Sequence, residues 1–152
     1  MKSVKRQLKA VLVGCGRIAG GFDQDKKRKY VATHAGAYKR VPGVKLTAVC
    51  DGDPGKAEAF AKSWRVPAFY TDFKLMLKKE NPDLVSICTW PESHYELART
   101  AIEAGVKGIF LEKPITTTLS DADKLLTLAR KKKTVLAINH SRRWDTGLNR
   151  IS

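Results

Sequence analysis

Six short apolar runs alternate along the chain with segments of helical period, and this alternation constrains the fold more than any other feature. The runs fall at residues 9–13, 45–50, 68–70, 84–88, 108–111 and 134–138. Unbroken apolar stretches such as Ala10-Val11-Leu12-Val13 suit strands buried on both faces, as does Leu84-Val85-Ser86-Ile87. A helix between successive strands allows those strands to run parallel. The expected fold is therefore α/β, a doubly wound parallel sheet with helices on both faces. At 152 residues, 43% of them hydrophobic, the chain has material for one such core and not for two.

Several helices announce their own starts. Asp53-Pro54 reads as an N-cap with proline at the first helical position, followed by an apolar face of Ala57, Phe60, Ala61 and Trp64. Thr71-Asp72 opens a short helix through Leu75 and Met76, and Pro91 or Glu92 opens another that stops at Gly105. Thr118 with Asp121 three residues on caps a helix carrying Leu119, Ala122, Leu125, Leu126 and Ala129. One stretch breaks the rhythm. Residues 20–32 are polar and basic where a strand-to-helix turn should be short, so they read as an insertion loop before a helix from Thr33-His34 to about Arg40.

The formal charge is +14, from 29 Lys and Arg against 15 Asp and Glu. Such an excess attracts polyanions in principle. Here it is split among an N-terminal extension (1–7), the insertion, the helix end Arg130-Lys131-Lys132-Lys133 and the pair Arg142-Arg143. The helix end faces the negative pole of its own dipole and needs no partner. No helix-turn-helix, zinc or RNA-binding signature accompanies the charge, so nucleic acid is not the expected partner. No apolar stretch reaches the length of a membrane span. Before Leu12-Val13-Gly14-Cys15 the apolar region is too short for a signal peptide, and a cytoplasmic location is expected. Cys15, Cys50 and Cys88 lack CxxC spacing, so neither a disulfide framework nor a metal site is expected, and the thiols read as small core-lining groups.

The first run passes directly into Gly14-Cys15-Gly16-Arg17-Ile18-Ala19, a G-x-G-x-x-A version of the dinucleotide fingerprint. The first glycine makes the tight turn, the second lets the backbone approach a pyrophosphate, and the small third residue allows close helix contact. Asp51 follows the second run, where a carboxylate can accept hydrogen bonds from both ribose hydroxyls of an adenosine. It would repel the extra phosphate of NADP and so favours NAD, while nearby Lys56 leaves NADP open. Alone, Asp51 reads better as a turn residue of Asp51-Gly52-Asp53-Pro54 than as a ribose ligand. Three further segments sit at later strand ends: Thr89-Trp90-Pro91-Glu92-Ser93-His94, Glu112-Lys113-Pro114 and Asn139-His140-Ser141-Arg142-Arg143-Trp144. Open parallel sheets place ligands outside those ends. His34 reads as packing at a helix start, and for His140 the sequence favours no role.

Taken together, these motifs resemble the N-terminal Rossmann domain of the glucose-fructose oxidoreductase, inositol dehydrogenase and rhizopine catabolism (Gfo/Idh/MocA) family. The resemblance runs from about Leu8 to Ile151, and Glu112-Lys113-Pro114 after a strand is its most diagnostic part. It implies that Gly14, Cys15, Gly16, Arg17 and Ile18 hold the cofactor pyrophosphate and that Asp51 holds the adenosine ribose. Thr89, Pro91 and His94 match a Thr-Pro-…-His-like signature beside the ribose and nicotinamide, with Trp90 inserted before the proline. Glu112 and Lys113 lie at the nicotinamide, where the lysine would also hydrogen-bond the reacting hydroxyl and ease its deprotonation. Arg143 and Trp144 resemble an Arg-aromatic pair at the same end.

The implied function is the NAD(P)-binding half of an oxidoreductase that transfers hydride between nicotinamide and a secondary hydroxyl of a sugar, cyclitol or related substrate. The expected domain spans 8–140, with 141–152 beginning the connection to a second α/β domain. In the family that domain supplies the substrate contacts, often the acid/base histidine with an aspartate one helical turn earlier, and a route to homo-oligomers. None of His34, His94 or His140 has such an aspartate, so this chain alone is expected to bind cofactor without efficient turnover. A non-catalytic NAD(P)-sensing module on the same fold is the alternative.

Overall fold

A computed structural model describes residues 6–28 and 30–141. Its six strands are β1 (Leu8–Val13), β2 (Val44–Cys50), β3 (Ala68–Tyr70), β4 (Leu84–Ile87), β5 (Gly108–Glu112) and β6 (Val135–Asn139). The helices between them are α1 (His34–Arg40), α2 (Pro54–Trp64), α3 (Phe73–Glu80), α4 (His94–Glu103) and α5 (Leu119–Lys132). All strand pairs are parallel, in the order β3-β2-β1-β4-β5-β6. The order reverses between β1 and β4, which opens a crevice at their carboxyl ends.

The expected architecture is present, with boundaries shifted by a residue or so. The expected helix at Pro91 begins as a single 3-10 turn, Pro91–Ser93, before α4. Caps formed as the sequence implied. Asp53 accepts the N–H groups of Gly55 and Lys56, Asp72 that of Leu75, and Thr118 that of Asp121. Gly105 has φ +83° after the last turn of α4.

Alternation along β1 divides the core. Val11 and Val13 point to one face, with Met76 and Leu77 of α3, Ala101 and Ile102 of α4 and Leu125 of α5. Leu12 points to the other face, with Ala35 of α1, Phe60 and Ala61 of α2 and Val49 of β2. Both sets exclude water almost completely, at about 25 cal/mol for each Å² of apolar surface buried.

The insertion is a loop thrown out of a helix whose register survives it. After β1 the chain makes one helical turn, in which Gly16 O accepts the N–H groups of Gly20 and Gly21, and Arg17 O that of Phe22. A 3-10 turn follows at Gly21–Gln24. The next two carbonyls skip the loop: Ile18 O accepts from His34 N–H at 3.2 Å and Ala19 O from Ala35 N–H at 2.8 Å. His34 therefore takes the place that the fourth residue after Ile18 holds in an unbroken helix. Asp23 pins the loop base by accepting from Ala32 N–H at 2.8 Å and Thr33 Oγ1–H at 2.6 Å.

Candidate functional site

The carboxyl ends of β1, β2 and β4 meet at Gly14. Its φ is +88°, and a Cβ there would stand 2.7 Å from the Cys88 carbonyl oxygen, so both backbone conformation and space require glycine. Gly14 N–H donates to Cys50 O at 2.8 Å, and the next N–H, of Cys15, donates to Asp51 Oδ2 at 2.8 Å. The other oxygen, Oδ1, accepts from Asp53 N–H at 3.0 Å. Asp51 thus ties the fingerprint turn to the start of α2, and each carboxylate oxygen keeps a further lone pair.

Gly16 has the opposite surroundings. A Cβ placed there meets nothing within 4 Å. The N–H groups of Gly16, Arg17 and Ile18 find no protein acceptor among the described residues, as expected of a first helical turn. They border a cleft of about 970 Å³. Free N–H donors at the start of a helical turn, facing open space, fit the pyrophosphate of a dinucleotide.

Of the residues expected from sequence, Gly14, Cys15, Gly16, Arg17, Ile18, Asp51, Thr89 and Trp90 line this cleft. Trp90 is 83% exposed at its edge, an unusual setting for so large an apolar surface. Ser93 Oγ–H donates to Thr89 Oγ1 at 2.7 Å and fixes the turn between them. Lys113 is exposed at the end of β5, joined to Pro114 by a cis peptide bond. Arg143 and Trp144 lie outside the described residues.

Two expectations are corrected. His94 does not face the cleft. It is fully buried, with Nδ1 2.7 Å from Pro114 O and Nε2 3.1 Å from Thr89 O, so its ring is held between the turns that follow β4 and β5. Glu112 also points away, because alternation along β5 turns it to the face that α1 covers, as it does Phe110. There it accepts from His34 Nε2 at 3.0 Å and from Asn139 Nδ2.

His34 is more than packing at a helix start. Its Nδ1 lies 2.9 Å from Ser86 Oγ, which lies 2.8 Å from the Tyr38 hydroxyl. With Nε2–H given to Glu112, a neutral ring accepts from Ser86 O–H, and Ser86 then accepts from Tyr38 O–H. Burial, the largest influence, pushes the Glu112 carboxyl up, but hydrogen bonds from His34 and Asn139 hold it below the usual carboxylate range. The Tyr38 phenol is raised to about 12, chiefly by burial, and remains a donor.

Beyond Val13, Gly52 and Cys88, which adjoin expected residues in the chain, the cleft residues missed from sequence come from α2 and from the insertion. Ala59, Phe60 and Ser63 of α2 follow Lys56 at helical spacing, and that period was the available signal. Gly21, Phe22 and Gln24 come from the insertion, which has no period to read. Burial above all, then the Asp51 carboxylate, pushes the Cys15 thiol up to about 12. No group of His, Cys, Asp and Glu suited to a metal occurs among the described residues, and no described helix is long and apolar enough to cross a membrane.

Comparison with known proteins agrees with this geometry. D-apiose dehydrogenase of Paraburkholderia graminis is 28% identical over 149 residues, covering 98% of this chain and 36% of that protein. D-glucoside 3-dehydrogenase of Escherichia coli is 32% identical over 137 residues, 90% of this chain and 36% of that protein. An oxidoreductase from Agrobacterium radiobacter, solved with NAD+, L-tartaric acid and magnesium, superposes with a TM-score of 0.80 at 26% identity. It covers 95% of this chain, which spans 39% of it. The chain thus spans little more than a third of the length of its curated relatives. The model of the Gfo/Idh/MocA oxidoreductases, with their NAD-binding Rossmann fold, matches residues 8–140, and the chain belongs to that family.

Proposed function

We propose that this chain is the cofactor half of a dehydrogenase that moves hydride between NAD and a secondary hydroxyl of a sugar, cyclitol or related molecule. One observation carries the reading: Asp51, bound to Cys15 N–H, stands beside the open backbone of Gly16 in a single cleft. The pyrophosphate would lie on the N–H groups of Gly16, Arg17 and Ile18. The adenosine ribose would bond the remaining lone pairs of Asp51, a carboxylate that disfavours a 2′-phosphate and so selects NAD over NADP. Trp90, exposed at the cleft edge, offers its face to the adenine. Thr89 and Pro91 shape that edge.

NAD, when bound, supplies the hydride acceptor at its nicotinamide. The residues of this chain orient and polarise. Lys113 would donate a hydrogen bond to the substrate hydroxyl, which lowers that hydroxyl's pKa and stabilises the developing oxyanion. His94 holds the Lys113-Pro114 turn against Thr89. The group that accepts the proton, and the contacts that choose the substrate, are assigned to a part of the enzyme beyond these residues. Similarity to dehydrogenases of D-apiose and D-glucosides supports the substrate class. Calorimetric titration of the folded chain with NAD and NADP tests the reading. NAD should bind and NADP should bind more weakly; absence of both signals would end it.

A further inference from the structure

The looped-out segment is built rather than slack. Beyond the ties of Asp23 at its base, Asp25 accepts Lys27 N–H through Oδ1 and Arg28 N–H through its carbonyl oxygen. These bonds set the position of Arg28. Its guanidinium lies over the Phe22 ring, 4.7 Å from the centroid, and the Arg17 guanidinium lies over the same ring at 4.6 Å. Phe22 and Arg17 line the cleft that contains Gly16 and Asp51.

Two guanidinium groups on one aromatic ring repel each other unless an anion or solvent compensates them. Among the described residues, neither has a carboxylate within salt-bridge distance. Arg28 is nevertheless half-buried, so it is held where it lies rather than free in water. Arg17 borders the cleft with the backbone N–H groups of the fingerprint turn, and Arg28 shares its aromatic ring from the loop. Planar guanidinium donors gathered on that ring suit a phosphate, which accepts from guanidinium in two directions at once.

We propose that the inserted loop is a phosphate clamp, in which Phe22 holds Arg28 beside Arg17 so that both take the pyrophosphate of the dinucleotide. This rests on the dinucleotide reading above. It assigns to this chain a source of cofactor affinity supplied by residues outside the fingerprint turn. The loop can be removed cleanly, because deleting residues 22–33 makes His34 the fourth residue after Ile18, to which it is already bonded.

The test is calorimetry with NAD and with adenosine, which lacks phosphate, on the intact chain, Arg28→Ala, Phe22→Leu and the deletion, each first shown to be folded by circular dichroism. NAD should bind roughly five- to tenfold more weakly to each variant, the loss of one charge-assisted contact, and should lose its steepest salt dependence. Adenosine should bind all four alike. Equal NAD affinity across the set would overturn the clamp, as would a parallel loss for adenosine, which would mark a merely structural loop. If the deletion fails to fold, Arg28→Ala and Phe22→Leu decide the matter. If the intact chain binds NAD and the variants match it, the clamp falls alone; if the intact chain binds neither NAD nor NADP, the dinucleotide reading falls with it.

Discussion

The Asp51 carboxylate and the Cys15 backbone N–H meet at 2.8 Å, so the acid that would select the ribose also fixes the turn that would hold the pyrophosphate. One substitution should therefore change two properties. Asp51→Ser is expected to weaken NAD about tenfold, the value of a lost charge-assisted hydrogen bond, and to bring NADP to comparable affinity. The same change loosens Cys15 N–H and should lower stability by about 1 kcal/mol. Calorimetry with both cofactors and a urea titration read the two effects separately; unchanged cofactor preference would remove Asp51 from the ribose.

Gly14 should tolerate no side chain. Gly14→Ala combines φ +88° with a Cβ 2.7 Å from Cys88 O, and the neighbouring strand end cannot move without breaking its bond from Cys88 N–H to Val13 O. The expected loss is about 2–4 kcal/mol, seen as a lowered urea midpoint. Gly16→Ala has open space around it and should leave stability within about 1 kcal/mol while weakening NAD.

The strands, the order of helices and the capped starts of α2, α3 and α5 were legible in the sequence, because each depends on neighbours within a few residues. The fingerprint and Asp51 were legible for a related reason: each follows a strand directly. The His34, Ser86, Glu112 and Asn139 network was not, since its members lie on α1, β4, β5 and β6 and share no spacing. Only the parallel stacking of β4, β5 and β6 brings them under one helix. The burial of His94 is not legible, because its place at the start of α4 is visible in sequence whereas the carbonyl of Pro114 twenty residues on is not.

The Glu112 network should leave a mark on acid stability. A carboxyl held below its ordinary value stabilises the fold above about pH 4.5 and loses that contribution as the pH falls through its lowered folded value. Asp83 is likewise held below its ordinary value, first by Lys107 and by Lys9 N–H, with Arg6 adding to them, so its contribution is lost at lower pH, below about 3.8. Glu112→Gln is expected to cost about 1–3 kcal/mol at neutral pH and to flatten the decline below about pH 4.5. Urea midpoints measured across that range for both proteins check the sign. An equally steep decline in the variant would count against the Glu112 contribution.

The three cysteines should be chemically quiet while the chain is folded. Burial, with the Asp51 charge second, raises Cys15 to about 12 and Cys50 to about 11, and burial raises Cys88 well above its ordinary value. At pH 8 the thiolate fraction of Cys15 is roughly a thousandfold below that of a free thiol, so alkylation should await unfolding. Mass spectrometry after iodoacetamide treatment, with and without urea, measures this. Rapid labelling of Cys15 in the native protein would contradict the burial assigned to it.

The bonds from His34 to Ile18 and from Ala35 to Ala19 seal the loop at its neck, so the sheet does not register how long the excursion is. Chain entropy penalises a longer loop only slowly, by about 0.6 kcal/mol for each doubling. The rim of the cleft can therefore be rewritten by exchange or growth of this segment with almost no change in the remainder of the fold. Here the lining of the cleft rim and the register of the fold are carried by different stretches of one interrupted helix.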